Sequence, residues 1–176
     1  ASLSALLFGR DEGFYYRTAG IELAGTPDDS VTTSWRLFAE NQSDARKKTN
    51  FSLVKAFGGD GFEDNIDARY GNIVGAAGEK HGTYGLDPNG LRLFGAVKAE
   101  AATGSFDFVR GMVDGTISHG LTSRIDGALT VGGGYSGGSL PAQRLWYLGG
   151  SQSVRGQAAG AQFGDAFWMT RAEFGG

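Results

Sequence analysis

The sequence predicts an all-β fold, and three observations carry that prediction. Apolar and polar residues alternate with a period of two in at least five segments. Glycine is abundant, 31 of 176 residues or about 18% against a usual ~7%, while there are only three prolines and aromatic residues make up 12%. The alternating segments are also long, near the ~10 residues of barrel strands rather than the five or six of an average strand. Length suits one domain, and the aromatic content argues against disorder.

Taken in order, strands are expected near 2–9, 12–25, 31–43, 62–75, 89–103, 105–118, 123–136 and 163–175. In the third, Trp35, Leu37 and Ala39 oppose Ser34, Arg36, Phe38 and Glu40. In the fifth, Leu91, Leu93, Val97, Ala99 and Ala101 oppose Arg92, Phe94, Lys98 and Glu100. In the seventh, Ile125, Leu129, Val131 and Tyr135 oppose Arg124, Asp126, Ala128 and Thr130. The last sets Ala166, Trp168, Ala172 and Phe174 against Asp165, Phe167, Arg171 and Glu173. Short turns ("GTPDDS", "ATGS", "HGLTS") alternate with longer irregular segments at about 44–61 and 137–162. Such alternation of connections fits an antiparallel transmembrane β-barrel, and so do the in-strand glycines Gly20, Gly71, Gly95, Gly111, Gly115 and Gly127. The pattern of faces alone also fits a soluble β-sandwich or barrel. In the membrane reading Ile125, Leu129, Val131, Leu91, Leu93, Trp168 and Phe174 face lipid. Arg124, Asp126, Arg92, Lys98, Glu100 and Asp165 then face the lumen.

Composition narrows the function. With no cysteine, disulfide scaffolds and thiolate metal sites are excluded. A net charge of −3 and a pI of about 5.3 disfavour a nucleic-acid partner, and the one basic run, 44–50, reads as a solvated loop. No apolar run is long enough for a membrane helix, and the first twelve residues lack the basic leader of a signal peptide. His81 and His119 sit in no zinc-ligand pattern, no G-x-S-x-G elbow occurs, and Val131–Gly138 lacks the lysine of a P-loop. The acidic cluster Asp60, Glu63, Asp64 and Asp67 lacks EF-hand spacing and reads as a loop rim. Trp35, Trp146, Tyr147 and Trp168 are candidates for interfacial girdles. No enzyme chemistry and no cofactor are expected.

One motif is more specific. "LGGSQSVRGQAAGAQFGDAFWMTRAEF" holds Gly149-Gly150, then Val154-Arg155-Gly156, then Gly164-Asp165 opening an alternating strand. This segment resembles the long loop and following strand of the Omp85 superfamily of outer-membrane barrels, the BamA/TamA-like or surface antigen D15 proteins. "RDEGFYYRTAGIELAG", Arg10–Gly25, resembles an upstream strand of the same family. Gln157 stands where the family usually has Phe or Tyr. The resemblance implies that 1–176 is a partial outer-membrane β-barrel domain, about half of a larger barrel with roughly eight strands present. The final strands and the POTRA repeats would then lie outside it. It further implies a location in the bacterial outer membrane and a loop folded into the lumen. Arg155 would pair there with carboxylates, of which Asp165 and Glu173 are the nearest candidates. Expected partners are outer-membrane lipid, a polypeptide client and accessory assembly proteins. The implied function is insertion of outer-membrane proteins or polypeptide translocation. The alternatives are a barrel anchoring, or forming a pore for, an unseen domain, and a soluble glycine-rich β-protein with a ligand-binding interior.

Overall fold

The computed structural model describes residues 15–27, 32–45, 65–87, 89–122, 125–150, 153–154, 157–158 and 160–175. Among the described residues nine strands form in chain order: β1 (Tyr16–Gly25), β2 (Thr33–Asp44), β3 (Gly71–Tyr84), β4 (Arg92–Gly104), β5 (Phe108–Thr122), β6 (Ile125–Gly138), β7 (Trp146–Leu148), β8 (Gln162–Gly164) and β9 (Ala166–Gly175). A single turn of 3-10 helix, Ala142–Arg144, precedes β7. The fold is all-β and antiparallel, as the alternation predicts.

Seven strands make one sheet in the order β1-β2-β3-β4-β5-β6-β9, and β7 and β8 pair separately. Among the described residues the sheet is open. β1 pairs with β2 and β9 with β6, so each leaves one edge without a partner strand. A closed barrel is therefore absent from the described residues.

Two expected strands differ from the structure. The strand expected at 2–9 lies outside the described residues. The strand expected at 62–75 is displaced: residues 65–70 carry no ladder, and β3 runs Gly71–Tyr84. The second half of β3, "AAGEKHGTY", hides its alternation because one face carries Ala76, Gly78 and Gly82 together with Lys80, and the other Ala77, Glu79 and His81. The remaining six, β1, β2, β4, β5, β6 and β9, fall within about four residues of expectation.

The register aligns like residues across the sheet. One row runs Leu23, Leu37, Ala76, Ala101, Val109 and Gly137. Another, on the opposite face, runs Ala24, Arg36, Ala77, Glu100, Arg110 and Ser136. We call the first the open face and the second the covered face. The open face is apolar, and its only permanent charges among the strand residues are Arg17 and Lys80. Its large side chains are exposed: Ile21 79%, Trp168 81% and Phe174 77%. Most of the charges lie on the covered face, together with the buried cluster Phe38, Ile73, Ala102, Phe106 and Phe108, against which Leu140 packs.

The connections sort by rim. At one rim β1–β2, β3–β4 and β5–β6 are joined by short turns. At the other lie the long β2–β3 connection, the short β4–β5 turn and the β6–β9 loop. That loop returns across the covered face.

Candidate functional site

The site is the first half of the β6–β9 loop, residues 139–150, together with the wall beneath it. Leu140 packs on the apolar cluster at the loop rim, and Pro141 next to it is fully buried. Proline at 141 and its extended backbone (ψ 156°) direct the chain off the rim and into the 3-10 turn.

That turn delivers Gln143 and Arg144, both buried. Gln143 Nε2 donates to Gln42 Oε1 at 2.7 Å and to the Arg69 carbonyl at 2.9 Å, while its Oε1 accepts from the Arg69 N–H at 3.0 Å. Gln42 is completely enclosed. Both ends of each amide are thus used, as burial of a polar group requires.

Arg144 is the centre of the site. Its Nη2 donates to Glu40 Oε1, and its Nη1 lies 3.4 Å from Glu100 Oε1. Glu100 also faces Arg36 Nη2 at 3.7 Å, and Arg36 pairs with Glu22 at 3.1 Å. Arg110 Nη1 donates to the Arg144 carbonyl at 3.0 Å. A guanidinium taken out of water costs several kcal/mol unless charges and hydrogen bonds replace its hydration. Here Glu40 of β2 replaces it with a hydrogen bond and Glu100 of β4 with charge alone, while Arg144 Nε has no hydrogen-bond partner among the described residues.

Trp146 fixes the loop on its other side. Its ring lies 5.0 Å from Phe167, and the Arg110 guanidinium stacks over it at 4.1 Å. The ring occupies space that only glycine leaves free: a Cβ on Gly134 would stand 3.0 Å from the Trp146 ring and 2.6 Å from that of Phe167. Tyr147 donates its hydroxyl to the Ala142 carbonyl at 2.8 Å, and burial pushes its phenol above the usual tyrosine range. Below Trp146 a cleft of about 570 Å³ opens along the covered face, lined by Arg36, Glu79, Lys98, Glu100 and Arg110 among others.

The motif residues follow the seated segment. Gly149 and Gly150 both have positive φ (119° and 79°), which explains the glycine pair. Ser153 Oγ accepts from the Gly149 N–H and donates to its carbonyl, both at 2.8 Å. Gly150 N–H donates to the Gln157 carbonyl at 3.0 Å, and Val154 is half-buried within this fold-back. Arg155 and Gly156 lie outside the described residues, as does Arg124. Asp165 has an exposed side chain, and its carbonyl accepts from the Ser136 N–H, tying the start of β9 to β6. Glu173 pairs with Arg171 at 3.1 Å.

Sequence reasoning passed over Arg144. The available signal was one cation inside the apolar run "LPAQRLWYL", since a charge in such a run needs a partner when buried. Its partners could not be named, because Glu40 lies 104 residues away. Among the described residues no group of three or more His, Cys, Asp or Glu is placed to hold a metal ion.

The fold and site define an antiparallel β-sheet protein with one apolar exposed face and a loop pinned by buried ion pairs on its polar face. Comparison with known proteins adds no identity: no family model, no curated protein and no solved structure matches the chain.

Proposed function

We propose that the chain is part of an Omp85-like outer-membrane β-barrel that assists insertion of outer-membrane proteins or translocation of polypeptides. The observation that carries the membrane reading is the polarity of the two faces. A sheet in water buries its apolar side, yet here the charged side is covered and the apolar side is bare. Lipid is the occupant that suits a band of Val, Leu, Ile, Trp and Phe alternating with small residues. On β5 the open-face positions from Val109 to Leu121, apolar or glycine except for His119 near the end, run about 40 Å along the strand at ~3.4 Å per residue. At the ~40° tilt of barrel strands that is about 30 Å, the thickness of a hydrocarbon core.

Within a bilayer every backbone group needs a partner, so this reading requires further strands against β1 and β9. The Gly149-Gly150 and Val154-Arg155-Gly156 resemblance supplies the Omp85 assignment and the polypeptide client. The reading gives the chain no catalytic step.

Two experiments test it. Nitroxides at Val113 and at Asp114, neighbours on opposite faces, should report oxygen-rich and water-rich surroundings respectively when the protein is reconstituted in bilayers. Equal water exposure at both would mean a soluble fold whose apolar face is covered by protein. Depletion of the protein from cells should leave unfolded outer-membrane proteins or unexported polypeptide in the periplasm. Normal assembly and export after depletion would favour the anchoring alternative.

A further inference from the structure

We infer that Arg144 is the positioning residue of the loop, the group that decides where residues 140–150 stand on the covered face. The inference rests on the barrel reading for its setting, but its evidence is local. Arg144 bridges β2 and β4 through Glu40 and Glu100, two strands that are not neighbours. Its carbonyl is held by Arg110 of β5, so side chain and backbone are fixed from three strands at once.

Its neighbours in the loop act with it. Gln143 ties the same turn to Gln42 and to the Arg69 backbone, which belongs to the other long connection of that rim. Trp146 fills the gap over Gly134. From this base Gly149 is five residues on, so the base sets the origin of the fold-back that leads to Arg155.

The charge pattern argues for position rather than for ligand binding. The cations Arg36, Lys98 and Arg144 pair with Glu22, Glu40, Glu79 and Glu100, Lys98 and Glu79 standing 3.1 Å apart, and Arg110, the fourth cation, donates to the Arg144 carbonyl. Such a neutral lattice offers no net field to draw an ion, but it specifies one docking geometry. Removing Glu40 or Glu100 leaves the buried Arg144 short of a partner charge, which is why the seat resists displacement. An ammonium at 144 could not reach Glu40 and Glu100 with separate nitrogens.

The chain has no cysteine, so Ala142→Cys provides a single thiol in the half-buried turn. The experiment measures its reaction with a membrane-impermeant maleimide in membranes from cells producing the protein. Adding Arg144→Ala should speed labelling by roughly tenfold or more, as expected when a buried pair is broken. Arg92→Ala removes a guanidinium from the same wall away from the seat and should leave the rate nearly unchanged. If Arg144→Ala does not fold, Arg144→Lys and the exchange Arg144→Glu with Glu40→Arg decide the matter. Faster labelling in the first and restored protection in the second identify the ion pair rather than mere packing. Labelling of Arg144→Ala no faster than Arg92→Ala, or an exchange variant labelled as fast as the single variants, overturns the inference. Membrane fractionation separates this result from the barrel reading. Unchanged labelling in membrane-integrated protein sinks the positioning role alone, and protein recovered only in the soluble fraction sinks the barrel, while the thiol still reports whether the loop is seated.

Discussion

At the scale of single residues, the glycines of the covered face act by what they leave empty. Gly75 accommodates the Phe38 ring, to which a Cβ would stand at 2.5 Å, and Gly134 accommodates Trp146 and Phe167. Gly134→Ala should therefore destabilise the protein by about 1–3 kcal/mol through overpacking, read from thermal or urea unfolding in detergent. Gly95→Ala is the comparison, because on the open face its Cβ would meet nothing nearer than 3.9 Å. It should stay within about 0.5 kcal/mol of the parent. Tyr147 gives a pH test. Its phenol is raised by burial, so the folded state holds that proton more tightly than the unfolded chain. The resulting contribution is intact below the ordinary phenol pKa of about 10 and is lost as pH rises beyond it. Unfolding followed from pH 9 upward should show a decline that is shallower in Tyr147→Phe.

At the scale of elements, the alternation made β2, β4, β5, β6 and β9 legible, because each sets branched or aromatic residues against charges. β3 was misplaced since Ala76, Gly78 and Gly82 carry no hydrophobic signal, and its identity comes from the two strands it pairs with. The seated loop was illegible for a different reason. Arg155 drew attention through a motif, whereas Arg144 acquires meaning only once the sheet brings Glu40 and Glu100 beneath it. Glu100 is shared by Arg36 and Arg144, and its side chain is 13% exposed. Glu100→Gln should cost about 3–5 kcal/mol in chemical denaturation, the range for breaking a buried pair. Glu22, half exposed and paired with Arg36 alone among these, should cost under about 1 kcal/mol when changed to Gln.

At the scale of the whole molecule, the decisive property is that charge and apolar surface lie on the unexpected sides for a protein in water. The alternation defines two faces but does not say which is inside. The loop settles which is covered, since Leu140 packs on the apolar cluster of that face and Trp146 lies beneath the Arg110 guanidinium. In the membrane reading an arginine at Val113 would sit in hydrocarbon at a cost of about 2–4 kcal/mol near the midplane. Val113→Arg should reduce the membrane-integrated, heat-modifiable fraction, and Ser118→Arg on the covered face should not. Equal behaviour of the two would count against lipid as the occupant of the open face.

The seat also orders events in time. Five of the six pairings in the large sheet join strands consecutive in the chain, and all of these but β2–β3 have short connections, so those four can form as hairpins with little loop-closure cost. The contact of Arg144 with Glu40 spans 104 residues and requires β2, β3 and β4 to be in place first. Protection of a thiol at position 142 should then rise late during refolding, after hairpin protection in β4 and β5 is complete. An ion pair that reads as an anchor in the finished molecule thereby serves, during its making, as the last clasp to close.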